Sequence, residues 1–145
     1  MKKIYLFLFL FVFSIFANDV PQDPKLVDLL TKFCEALKIA DESERVKAIL
    51  PYVHDYDKTK DKTDLIPNTK QFSFKKASNG ISRYEFPLVI TRVEKTADTS
   101  YQGVAGSRFK YFIKKNQNFN GMPAPIHIFV PADGSEPKVI NFGSI

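Results

Sequence analysis

The chain has 145 residues, a formal net charge of +5 and a single Cys. That length suits one domain with a real hydrophobic core. A lone Cys excludes an internal disulfide, so stability must come from packing. Two His and scattered carboxylates match no metal-ligand spacing, and no cofactor motif is present. Gly103-x-x-Gly106 is too short for a phosphate loop and runs into strand-like sequence, and no Ser stands in a nucleophile elbow.

Lys2 and Lys3 precede an apolar run from Ile4 to Phe16, and the small Ala17 follows. Charge, apolar run and small residue in this order form a secretory signal peptide over residues 1–17. The run is about 13 residues, whereas a membrane-spanning helix needs about 20. No Cys follows it, which argues against a lipid anchor. The expected product is periplasmic or secreted, with no transmembrane segment: a single domain over residues 18–145 of net charge +3.

Asp23-Pro24 provides an N-cap with Pro at the first helical position. Leu26, Leu29, Leu30, Phe33 and Leu37 then recur at helical spacing, so an amphipathic helix of about four turns is expected. Cys34 falls within this stripe and reads as a small buried apolar residue. Asp41 or Ser43 caps a second helix with Val46, Ile49 and Leu50 on its apolar face, limited by Pro51. Asp57 to Asp64 alternates Lys and Asp with no apolar residue and reads as an exposed loop.

The segment from Asn68 to Gly80 favours a third helix capped by Asn68 or Thr69, with Phe72-Ser73-Phe74 as a short strand the alternative. From Tyr84 to Val93 the period becomes that of a strand, with Pro87 marking an edge or a bulge. Tyr101 to Lys115 reads as a second strand, its first half broken by Gly103 and Gly106 in a manner that suits a bulge or a strong bend. Ile126 to Val130 and Lys138 to Phe142 are the third and fourth strands, with a turn signal at Asp133-Gly134. Helices first and strands afterwards give the α+β class, with two or three N-terminal helices packed on a curved antiparallel sheet of about four strands.

The helical opening, Leu26 to Leu37 and then Arg45 to Leu50, and the closing hairpin, Ile126 to Val130 and Lys138 to Ser144 around Asp133-Gly134, together resemble the nuclear-transport-factor-two-like superfamily of cystatin-like cone domains. The resemblance covers most of the chain after the signal peptide. It implies a cone-shaped fold and a pocket between helices and sheet. Superfamily members span isomerases, cyclases, dehydratases, transport factors and proteins of unknown role, so the resemblance implies no single reaction.

The densest polar and aromatic cluster is Tyr52 to Asp57, and His54, Asp55 and Tyr56 are its ligand-binding candidates. A His beside an Asp and a Tyr suits acid–base work near neutral pH. His127, in the third strand, joins them if it lines a pocket; with Ile126, Ile128 and Val130 facing the core it lies on the outer face. Charge is uneven: residues 18–64 carry net −3 and residues 65–145 net +6. Arg108, Lys110 and Lys114 alternate with Phe109, Tyr111 and Ile113, which puts three cations on one strand face with Phe112 among them. Such a patch suits an anionic envelope component or an acidic protein, whereas nucleic acid does not fit an exported domain without a nucleic-acid motif. The expected function is therefore a non-enzymatic binding domain. The alternative is a small isomerase- or cyclase-like enzyme using His54, Asp55 and a tyrosine in a pocket between helices and sheet.

Overall fold

The computed structural model describes residues 22–145, so residues 1–17, expected to be a signal peptide, lie outside the described residues. Helix α1 (Pro24–Leu37) starts where the sequence places it: the Asp23 carboxylate accepts a hydrogen bond from the Lys25 N–H at 2.8 Å, and Pro24 needs no partner at the first position. Its stripe of Leu26, Leu30, Phe33 and Leu37 is buried, and Cys34 with it. Helix α2 (Glu42–Ile49) is capped by Asp41, which accepts from the Glu44 N–H at 2.9 Å.

The third helical segment runs over residues 67–80, and the strand alternative for Phe72 to Phe74 falls. It begins at Pro67, not at an Asn68 or Thr69 cap; Ile66 stands at the cap position and supplies no side-chain bond. Thr69 instead spends its hydroxyl on Asp57 at 2.7 Å. A turn of α-helix, α3 (Pro67–Thr69), passes into a π-helix (Lys70–Phe74) and back into α4 (Lys75–Gly80). Phe74 and Ala77 face the core, while Phe72 is exposed.

Four antiparallel strands follow in the order β1-β2-β3-β4: β1 (Ile90–Tyr101), β2 (Val104–Ile113), β3 (Pro125–Pro131) and β4 (Lys138–Asn141). With the helices packed on the sheet, the fold is α+β. The strand expected from Tyr84 begins only at Ile90. Residues 84–89 alternate in sequence because Phe86 and Leu88 pack partly on the core. Their backbone makes only isolated bonds, among them Glu85 N–H to Lys114 O and Lys114 N–H to Val89 O, and Pro87 has no N–H to give a ladder. The second strand is also shorter than expected. Tyr101 closes β1, and Gln102 and Gly103 both have positive φ, the geometry of a two-residue hairpin turn. Gly106 stands in the ladder opposite Pro131; the irregularity lies across from it in β1, between Thr96 and Thr99.

The inner sheet face presents Val93, Tyr111, Ile113, Ile126, Ile128 and Val139 to the helices. Leu30, Phe33, Leu37, Tyr111 and Phe142 fill the space between, each 1% exposed or less. The room that a pocket between helices and sheet would need is therefore taken by side chains. No described helix is long and apolar enough to cross a membrane.

Candidate functional site

Residues 52–54 zip onto the outer edge of β4. Val139 N–H donates to Tyr52 O at 2.8 Å and His54 N–H to Val139 O at 3.0 Å, around a parallel bridge of Val53 with Val139. Val53 is buried in the core, so alternation turns His54 to the other side of the sheet. There the imidazole meets Tyr101 edge-on at 4.8 Å, with Phe129 at 6.4 Å; Tyr101 and Phe129 lie 5.6 Å apart. His54 Nδ1 accepts from the Tyr56 N–H at 3.1 Å, which leaves Nε2 to carry the proton of the neutral ring. Burial pushes the His54 pKa down, against the pull of Asp57 and Asp55.

The other members of that sequence cluster stay outside this group of rings, although Asp55 lines a cavity with His54. Hydrogen bonds from Lys58 and then Lys62 hold the Asp55 carboxyl down at about 2, so it is committed to its own loop. Tyr56 is 56% exposed. Asp57, which the sequence did not single out, is more deeply placed. One of its oxygens accepts from Thr69, the other is buried without a hydrogen-bond partner, and burial raises its pKa. Its charge reaches both His54 and Tyr101, whose hydroxyl is pushed up by burial first and Asp57 next.

Pairing of β2 with β3 sets the rest of this face. Arg108 lies opposite Phe129 and Lys110 opposite His127. Phe129 belongs to the face away from the helices and is nevertheless 0% exposed. Its ring lies over Gly106, whose missing side chain makes the room. Arg108 extends its guanidinium towards the Tyr101 ring, 5.8 Å from the centroid. Arg108 Nε and His127 Nδ1 are both buried without hydrogen-bond partners. Burial, then Lys110 and Arg108, push the His127 pKa below the ordinary 6.5.

Lys114 does not belong to this patch. It lies beyond the end of β2 and pairs with Glu85 at 2.9 Å. Arg92 takes a place instead: its guanidinium stacks 4.0 Å over the Phe112 ring. Glu94 contacts Arg92 at 3.1 Å and Lys110 at 3.9 Å. Comparison with known protein families, curated proteins and solved structures finds no match.

The face thus combines Arg92, Arg108, Lys110 and His127 with the rings of Tyr101, Phe112 and Phe129. A shallow cavity of about 380 Å³ opens at its lip, where the carboxylates Asp55, Asp133 and Glu136 stand with His54, Phe129 and Lys138. Among the described residues no group of three or more His, Cys, Asp or Glu could hold a metal. Burial pushes the Cys34 thiol far up, so it is not a nucleophile at neutral pH. The face offers charge and aromatic contact.

Proposed function

We propose that the chain is an exported, non-enzymatic binding domain whose sheet face docks a polyanionic component of the cell envelope. One observation carries this: Arg108 and Lys110 stand beside His127 across one ladder, and two of their polar nitrogens are enclosed without partners. Arg108 Nε is a buried donor without an acceptor, which is costly, and His127 Nδ1 becomes a second donor when the ring is protonated; an anionic oxygen supplies the acceptor and the countercharge together. Arg108 makes no ion pair among the described residues. Phosphate and carboxylate oxygens share this chemistry, so a lipid headgroup and a soluble acidic polymer are its two sources. Element order is the support for placing the domain among the cone-shaped superfamily noted above.

The test compares the protein with Arg108→Glu/Lys110→Glu on phosphatidylglycerol vesicles, phosphatidylcholine vesicles and soluble polyphosphate. Wild type is expected to bind an anionic target, with binding falling steeply as salt rises, because exposed charges are screened beyond about 8 Å at physiological ionic strength. At about 1 kcal/mol per cation near an anionic surface, reversing two cations should weaken binding about a hundredfold or more. Vesicles and polyphosphate separate the two sources. Equal binding by the two proteins would remove the proposal.

Binding should also depend on pH. Folding holds His127 below its ordinary pKa, so the neutral ring favours the folded state, and that contribution is lost as pH falls below about 6.5. A bound anion favours the imidazolium instead. Affinity should therefore rise as pH drops through the histidine range, with a proton taken up. His127→Gln should flatten the profile in titrations of vesicle binding; an unchanged slope would separate His127 from the site.

A further inference from the structure

Away from the sheet, a second cavity of about 610 Å³ opens between the start of α2, the loop before α3 and the π-helix. That volume lies in the range of small-molecule sites, about 300–1,000 Å³. Its floor is apolar: Leu65 and Phe74 are core residues, with Pro67 beside them. Its wall is polar and only partly satisfied. Lys70 is engaged by Asp64 at 2.9 Å. Arg45 is pinned by Ile39 O and Ala40 O, with its guanidinium 5.9 Å from the Phe74 ring. Lys75 makes no ion pair among the described residues, and Ser78 Oγ is buried without a hydrogen-bond partner. With Asp64 engaged, the wall sets Arg45 and Lys75 against Glu42.

The backbone adds an independent observation. Lys70, Gln71 and Phe74 reach this wall from the π-helix, a wide turn that is rare in helices and frequent at functional sites. A regular α-helix would already place Gln71, Lys75 and Ser78 on one face at i, i+4 and i+7, so the wide turn acts on Lys70, which a regular helix would carry away from Lys75.

We propose that this cavity binds a small organic carboxylate with an apolar body. The body lies on Leu65 and Phe74. The carboxylate accepts a hydrogen bond from the Ser78 hydroxyl and faces the charges of Arg45 and Lys75. The site is separate from the sheet face and stands whether or not that face binds a polyanion.

The test is an amide NMR titration of the protein with phenylacetate and octanoate, and with 2-phenylethanol and phenethylamine as partners of matched shape and different charge. The acids should produce saturable shifts at Leu65, Gln71, Phe74, Lys75 and Ser78, and bind about tenfold or more tighter than the alcohol or amine. Lys75→Gln should weaken the acids about tenfold, and Ser78→Ala several-fold. Both variants should fold, since Lys75 is exposed and the Ser78 hydroxyl bonds to nothing. Arg108→Glu should change nothing here, which keeps the two sites distinguishable. Equal binding of acid and alcohol, unchanged affinity in Lys75→Gln, or shifts confined to Tyr84 and Phe86 of the neighbouring 390 Å³ cavity would each overturn the proposal.

Discussion

Phe33→Ala should cost about 3–5 kcal/mol of folding free energy, the range for emptying a large aromatic site in a packed core. Phe33 is 0% exposed and meets Phe142 edge-on at 5.2 Å. It therefore joins α1 to the chain just after β4, the two ends of the described fold. Leu30 and Leu37 stand one turn either side on the same helix and cannot reach far enough to close the gap. The lost ring contributes its transfer free energy and the residual void adds to the loss. Denaturant melts with unchanged slope would report the difference. A loss below about 1 kcal/mol would mean that the site collapses around the smaller side chain, and that Phe33 is not the pin between helix and sheet. The sheet-face cations lie on the other side of the sheet, so whatever folded protein remains should keep its binding.

Gly106→Val should destabilise the fold and dismantle the sheet-face cluster together. A Cβ at Gly106 would stand 2.4 Å from Val130 O and 2.6 and 2.8 Å from two carbons of the Phe129 ring. The carbonyl belongs to the β3 ladder and cannot move without breaking pairing with β2. The ring can move only by leaving Tyr101 and His54. Overpacking of this kind costs about 1–3 kcal/mol, and more where backbone must shift. The matched control is Gly103→Asn. Gly103 has φ +80 and no atom within 4 Å of its would-be Cβ, so only the positive φ matters there, and Asn tolerates it. Thermal melts should show a large loss for Gly106→Val and a small one for Gly103→Asn. The His54 ring resonances should move in the first variant alone. A Gly106→Val protein with wild-type stability and unmoved His54 signals would contradict the close packing.

Much of the fold is written in local periodicity. The α1 stripe, its Asp23-Pro24 start and the Asp41 cap each need only a few neighbouring residues, and each stands as expected. So does the Asp133-Gly134 turn, where Gly134 has φ +81 and Asp133 accepts from the Ser135 N–H. The second half of β1 is not legible in the sequence because Glu94 to Ser100 is nearly all polar; it is held by pairing to β2. The turn at Gln102-Gly103 looks in sequence like a bulge or strong bend within one strand, since strand-like sequence continues on both sides of it. The π-helix left no signal, because its composition also suits an α-helix and only the bonding register differs.

The candidate site divides in the same way. Arg108 and Lys110 share a face because a strand has period two, and that follows from sequence alone. That His54 belongs with them does not, since it reaches the sheet through a bridge to β4 made after the chain has folded back. Lys114 obeys the same alternation and still leaves the patch, because the strand ends one residue earlier and Glu85 meets it there. Local pattern determined which elements form, which residues are inward and where the cations alternate, because those depend on neighbours a few residues away. Which distant side chains meet, and which buried polar atoms stay unpartnered, was decided only by tertiary packing, because each such contact joins segments whose sequences carry no record of one another.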